Sequence, residues 1–146
     1  MYKYFLLLSL LFLFSCKSSK DFSNHEGNRG KISIISAKYN NWVSGSKGHG
    51  SGVEFYFDVL VKNEAVNVGE LIVGNKRYKT ISKVKGTSKY HEMKSHSFKL
   101  NDTIKIRASG NEHYNNEELS IEILVGEKRE KIKINKIEEI KGVKYQ

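Results

Sequence analysis

The chain contains no proline and a single cysteine, and it is short of acid: 16 Asp and Glu stand against 25 Lys and Arg, a formal net charge of +9 over 146 residues. One cysteine cannot form an internal disulfide. It also leaves no CxxC pair and no zinc-finger spacing, so a folded domain must be held by its packed core. The one long apolar run lies at the N-terminus. Elsewhere no segment has the period of an amphipathic helix; Ile137 and Ile140, between Lys136 and Lys141, make too short a stripe. No Gly-x-Ser-x-Gly elbow occurs, which removes the esterase type of nucleophile. The positive balance favours anionic partners. Absent proline with abundant Lys, Asn and Ile is also the composition of an AT-rich genome, whose codons supply lysine whether or not a ligand is bound.

The N-terminus carries an address. Met1-Tyr2-Lys3 bears one positive charge, the mostly apolar run from Tyr4 to Phe14 follows, and then Ser15 and Cys16. That order is a secretory signal. A membrane-crossing helix needs roughly 20 apolar residues, and this run is too short and is followed at once by Lys17. Leu13 and Ser15 stand three and one before Cys16, with the bulkier Phe14 between. This resembles the lipobox of bacterial lipoproteins. It implies cleavage before Cys16, a thioether lipid on its sulfur, and triacylation, which supplies the more than one chain that stable anchoring takes. The expected organisation is a signal peptide over 1–15, a lipidated polar tether over 16–31, and one domain over 32–146. The expected location is the bacterial cell envelope, at the inner or the outer membrane.

After Lys31 the pattern is of short alternating runs. Lys31 to Lys38 reads as a first strand. In Val53–Lys62 the odd positions Val53, Phe55, Phe57, Val59 and Val61 form an apolar face at a period of two. Glu70–Val73 and Arg77–Val84 flank Gly74-Asn75-Lys76, a hairpin signal. Ser97–Leu100 and Thr103–Arg107 sit either side of Asn101-Asp102, and Leu119–Val125 turns at Gly126-Glu127-Lys128 into Lys131–Ile137, an edge that Val143 extends. Seven or eight strands at this spacing predict an all-β fold, an immunoglobulin-like β-sandwich, with a small closed barrel as the alternative. The hairpins Ile72–Lys79 and Leu124–Lys131 resemble each other, as one turn problem solved twice or as a duplicated half.

Two stretches stand out as candidate sites. The first, Trp42 to Gly52, is rich in glycine and holds Trp42, Lys47 and His49. It lacks the Gly-Lys-Ser/Thr ending of a phosphate loop and leads into a strand, so nucleotide binding is not expected. A structural role, such as a bulged strand or close sheet passage, competes with ligand contact. The pattern Tyr39-x-x-Trp42-x-x-Gly45-x-x-Gly48-x-Gly50-Ser51-Gly52, followed by an alternating strand, resembles a group of small Bacteroidota lipoproteins, flavobacterial ones especially, as does the lysine-rich hairpin from Gly126 to Ile137. The resemblance implies location and fold and no activity. The second stretch, Lys76 to Lys99, holds eight cations, among them Lys85, Lys89 and Lys94, with Tyr90, His91 and His96, against the single acid Glu92. On a strand pair it makes a basic face with aromatic platforms, suited to phosphate or acidic sugar. His91 and His96 lack the His-Glu-x-x-His spacing, so neither a metal nor another cofactor is expected.

These readings converge on a membrane-held binding module without enzymatic activity. Its expected partner is an anionic glycan, a lipid head group or another envelope protein, not nucleic acid. The residues expected at the contact are Trp42, Lys47, His49, Lys85, Lys89, Tyr90 and Lys94. The alternative is a hydrolase, or an inhibitor of one, directed at cell-wall or host material.

Overall fold

The computed structural model describes residues 30–45 and 50–141. They fold as two β-sheets packed face to face, with no helix among the described residues and no closure into a barrel. The strands are β1 (Ile32–Val43), β2 (Ser51–Val61), β3 (Val66–Val73), β4 (Lys76–Tyr78), β5 (Thr80–Val84), β6 (His91–Glu92), β7 (Ser97–Phe98), β8 (Thr103–Gly110), β9 (Leu119–Val125), β10 (Lys128–Ile134) and β11 (Glu138–Glu139). One sheet runs in the order β11-β1-β2-β8-β5-β6, the other β10-β9-β3-β4, with β7 also paired to β3.

The alternation in β2 sets the inside of the first sheet. Val53, Phe55, Phe57, Val59 and Val61 are buried, and they meet Ile104, Ile106 and Ala108 from β8 in register. The second sheet supplies Val66, Val68, Leu71, Ile121 and Ile123, and Phe98 on β7 is buried in the same core. Burying each such side chain contributes roughly 1.5–3 kcal/mol, which is how a domain without a disulfide holds its shape.

The chain changes layers where the sequence suggested continuous strands. Arg77–Val84 breaks at Lys79: β4 pairs β3 in one sheet, and β5 pairs β8 in the other. The buried Thr80 hydroxyl donates to the Gly69 carbonyl at 2.5 Å, tying β5 across the core to β3. Ser97–Leu100 is reduced to the two-residue β7 on β3, whereas β8 belongs to the opposite layer. After β10 the chain crosses again, and β11 pairs parallel with Lys38 and Tyr39 of β1. The two similar hairpins lie in one sheet at opposite edges. Each has a two-residue turn with glycine at its first position, Gly74 at φ 55° and Gly126 at φ 59°, the place where glycine relieves the strain of a left-handed residue.

Candidate anion-binding face

Side chains at even positions of β2 point away from the core, and their neighbours follow by register. Tyr56 stands opposite Arg107 on β8, which stands opposite Ile81 on β5. One row on, Asp58 faces Lys105, and Lys105 faces Lys83. Two like charges directly opposite one another on a sheet are destabilising. Among the described residues, no carboxylate lies within ion-pair distance of Lys83, Lys85, Lys89 or Lys105. The outer face of this sheet therefore carries a cluster of lysines that form no ion pair, with Asp58, across from Lys105, as the acid in that row.

Two tyrosines frame the cluster. The turn through Gly86 (φ 91°), closed by the Thr87 amide and hydroxyl donating to the Val84 carbonyl, folds the chain back so that Lys83 Nζ sits 4.6 Å from the Tyr90 ring centre. Arg107 lies 5.2 Å from the Tyr56 ring and 3.8 Å from the Glu54 carboxylate. Burial pulls the Arg107 pKa down, but hydrogen bonds with Tyr90 and Tyr56 outweigh it and hold the guanidinium above its usual range. Burial and the hydrogen bond it donates to Glu54 push the Tyr56 phenol up to about 12. Arginine has five donors in a planar fork, so these contacts orient the guanidinium without exhausting it. Beside it, Glu54, Lys79, Ile81, Arg107, Ala108 and Ser109 line a shallow depression of about 360 Å³.

The residues expected from sequence fall in separate places. Lys85 lies at the Thr103 end of this face, where its amide donates to the Thr103 carbonyl at 2.7 Å; Tyr90 lies against Lys83 and Arg107, and Lys89, in the loop before it, acts on His91. Trp42 lies at the other end, level with Gly52 and next to Gly110. Seven residues of β8 separate Gly110 from Thr103, about 23 Å of strand, so Trp42 and Lys85 do not share a site. Its indole covers Gly52, where an added Cβ would fall 2.8 Å from Trp42 Cζ2 and 2.3 Å from the Gly110 carbonyl. The glycine there permits close packing within one sheet. Lys47, His49 and Cys16 lie outside the described residues.

Lys94 belongs to the other layer. Its backbone turns through φ 64° and its amide donates to Val68 at a bulge in β3, where Gly69 and Glu70 together face Glu122 of β9. Lys94 Nζ is 3.8 Å from Glu122 Oε1, and Arg77 is 3.8 Å from Oε2 and 2.8 Å from Glu70. The hydrogen bond from Arg77 holds the Glu70 carboxyl below its usual range. These cations are engaged internally. His91 and His96 stack at 4.0 Å and abut Phe98, at the edge where the two layers meet. Burial, followed by the charges of His96 and Lys89, lowers the His91 pKa.

The residues that the sequence did not single out are Lys83 as a contact, Lys105, Arg107, Tyr56, Glu54 and Ile81. Their one signal was position: each occupies a solvent-side place on a strand whose alternate residues are core. No protein-family model, curated protein or solved structure matches the chain.

Proposed function

We propose that this chain is an envelope lipoprotein, exported and anchored through acyl chains on Cys16, whose sandwich serves as a non-enzymatic binding module for an anionic partner. The observation that carries the reading is the Lys83–Lys105 pair: two cations side by side across β5 and β8, neither in an ion pair although Asp58 faces Lys105 from β2, beside a tyrosine ring. A bound anion relieves their mutual repulsion, and Lys85 and Arg107 extend the positive field along the same face. Exposed charges act over about 10 Å at moderate salt, so the four act as one field. The lipobox resemblance supports the location, and the polar segment over 16–31 supports a tether.

Two experiments test this. Replacing Lys83, Lys85 and Lys105 with glutamate should abolish retention on arrays of anionic glycans and anionic vesicles. Retention at the wild-type level would remove the basic face from the reading. Metabolic labelling with a radioactive fatty acid should mark the protein and fail on Cys16→Ser; an unlabelled wild-type chain would remove the anchor.

A further inference from the structure

We infer that the depression around Ile81 takes one acidic sugar unit, of the uronic acid type, from an anionic polysaccharide whose chain continues along the cation cluster. The inference rests on the binding-module reading and specifies its ligand.

Ile81 is an aliphatic side chain 39% exposed in the middle of a charged face. Thr80 and Ser82 on either side of it are buried, so strand geometry commits Ile81 to solvent. It is the large apolar residue lining the depression, whose polar rim is Lys79, Arg107, Glu54 and Ser109. A pyranose ring has a face of C–H groups and an edge of hydroxyls. A uronate adds a planar carboxylate, the shape that an arginine fork binds with two parallel hydrogen bonds. The C–H face fits Ile81, the carboxylate fits Arg107 and Lys79, and the hydroxyls donate to Glu54 and exchange hydrogen bonds with Ser109.

Charge selects among anions. Lys79 and Arg107 less Glu54 leave the lining of the depression at +1 (2 − 1), and Glu92, opposite Ile81 on β6, adds a carboxylate at its edge. So weak a positive charge suits one carboxylate and no more. A phosphate monoester, at about −1.5 to −2 near neutral pH, meets Glu54 as a like charge. An anionic lipid surface gains from the lysines but makes no use of an aliphatic residue ringed by polar ones. From Lys79 to Lys85 along β5 is six residues, about 20 Å, and Lys83, Lys85 and Lys105 lie within that span. A polymer with a carboxylate on each unit meets successive cations there. A lone monosaccharide meets the first of them only.

The test measures equilibrium binding of the full-length protein to oligogalacturonate, dextran sulfate, neutral dextran and vesicles containing anionic lipid, at one ionic strength. The variants are Ile81→Asn, Arg107→Gln and Lys79→Gln. Oligogalacturonate should bind and neutral dextran should not. Ile81→Asn should weaken oligogalacturonate by about tenfold, the scale of one good contact, while leaving dextran sulfate within about twofold. Arg107→Gln should weaken oligogalacturonate at least as much. Lys79 is an exposed residue, so Lys79→Gln tests the same contact without touching the fold and should weaken it severalfold. Binding of every polyanion in order of charge, indifferent to Ile81→Asn and Lys79→Gln, overturns the sugar site and leaves the basic face standing. Binding to anionic vesicles with no polysaccharide bound does the same and identifies lipid as the ligand. Failure to bind any anion overturns both the site and the function on which it rests.

Discussion

The two outer faces of the sandwich are built from the same residue types and use them in opposite ways. On the face of β3, β4 and β9, cations meet acids: Arg77 bridges Glu70 and Glu122, Lys94 reaches Glu122 from the loop, Lys76 pairs with Glu112 and Lys133 with Glu118. On the face of β2, β8 and β5, Lys83 and Lys105 stand beside each other and neither forms an ion pair, though Asp58 lies across from Lys105. A basic stretch in a sequence thus conceals two kinds of cation. Some are engaged in ion pairs with carboxylates, and others stand beside another cation without one. Net charge does not separate them; cross-strand pairing together with ion-pair distance does.

The largest effect should come from location at constant charge. Replacing Lys83, Lys85 and Lys105 with glutamate should abolish anion retention. Replacing Lys128, Arg129 and Lys131 on β10 changes net charge equally and should leave most of it. Equal losses from both triples would show that overall charge alone drives retention and erase the contrast between faces. Next come two changes at the β3 bulge. A Cβ at Gly69 would fall 2.7 Å from Glu122 Oε1, so Gly69→Ala should cost about 2–3 kcal/mol in denaturant unfolding. Glu122, 3% exposed, has Oε1 with no hydrogen-bond partner, so Glu122→Ala should cost about 2 kcal/mol through lost packing and lost pairing. In the double variant the two costs should fall short of additive, because the clash disappears with the carboxylate. Strict additivity would mean that Glu122 does not pack on the bulge.

Acid should act at two places in turn, the edge where the layers meet and the β3 bulge. His91 has a pKa below its usual 6.5. The unfolded chain therefore binds its proton more readily, and stability should begin to fall as pH drops below about 6.5. Glu70 has a pKa below its usual 4.5. Its contribution is present above that value and is lost as pH falls through the lowered one. Melting temperatures from pH 8 to 3 should show two declines, with His91→Gln flattening only the first. A first decline that persists without that imidazole would assign it elsewhere. The smallest effect is the most direct contrast. Lys105→Ala should change stability by no more than about 0.5 kcal/mol in either direction, since it removes the like-charge neighbour of Lys83 and the opposite-charge neighbour of Asp58 together. A loss above about 1 kcal/mol would mean that Lys105 is a structural cation after all.

Much of the fold was legible because its signals are local. The two-residue alternation of Val53–Val61 and the glycine turns at Gly74 and Gly126 need nothing from the rest of the chain. The layer changes were not legible. Lys79 looks like one more solvent-side lysine, yet it is where the chain leaves one sheet for the other, and only the reach of the Thr80 hydroxyl to Gly69 makes that visible. The site was half legible for the same reason. Lys85, Lys89 and Tyr90 announced themselves as a cluster in sequence. Lys105 and Arg107, some twenty residues away, joined them through pairing of β8 with β5. Lys94, next in line in sequence, was taken by a carboxylate on β9 that no spacing rule connects to it.

The crossing at Lys79 has a mechanical meaning. With one residue between β4 and β5, the layers are riveted near the middle of the chain, and the Thr80–Gly69 bond is a second fastener beside it. A tug on β5, the strand beneath the cation cluster, is delivered to both layers at once and loads their ladders in shear instead of peeling one strand from an edge.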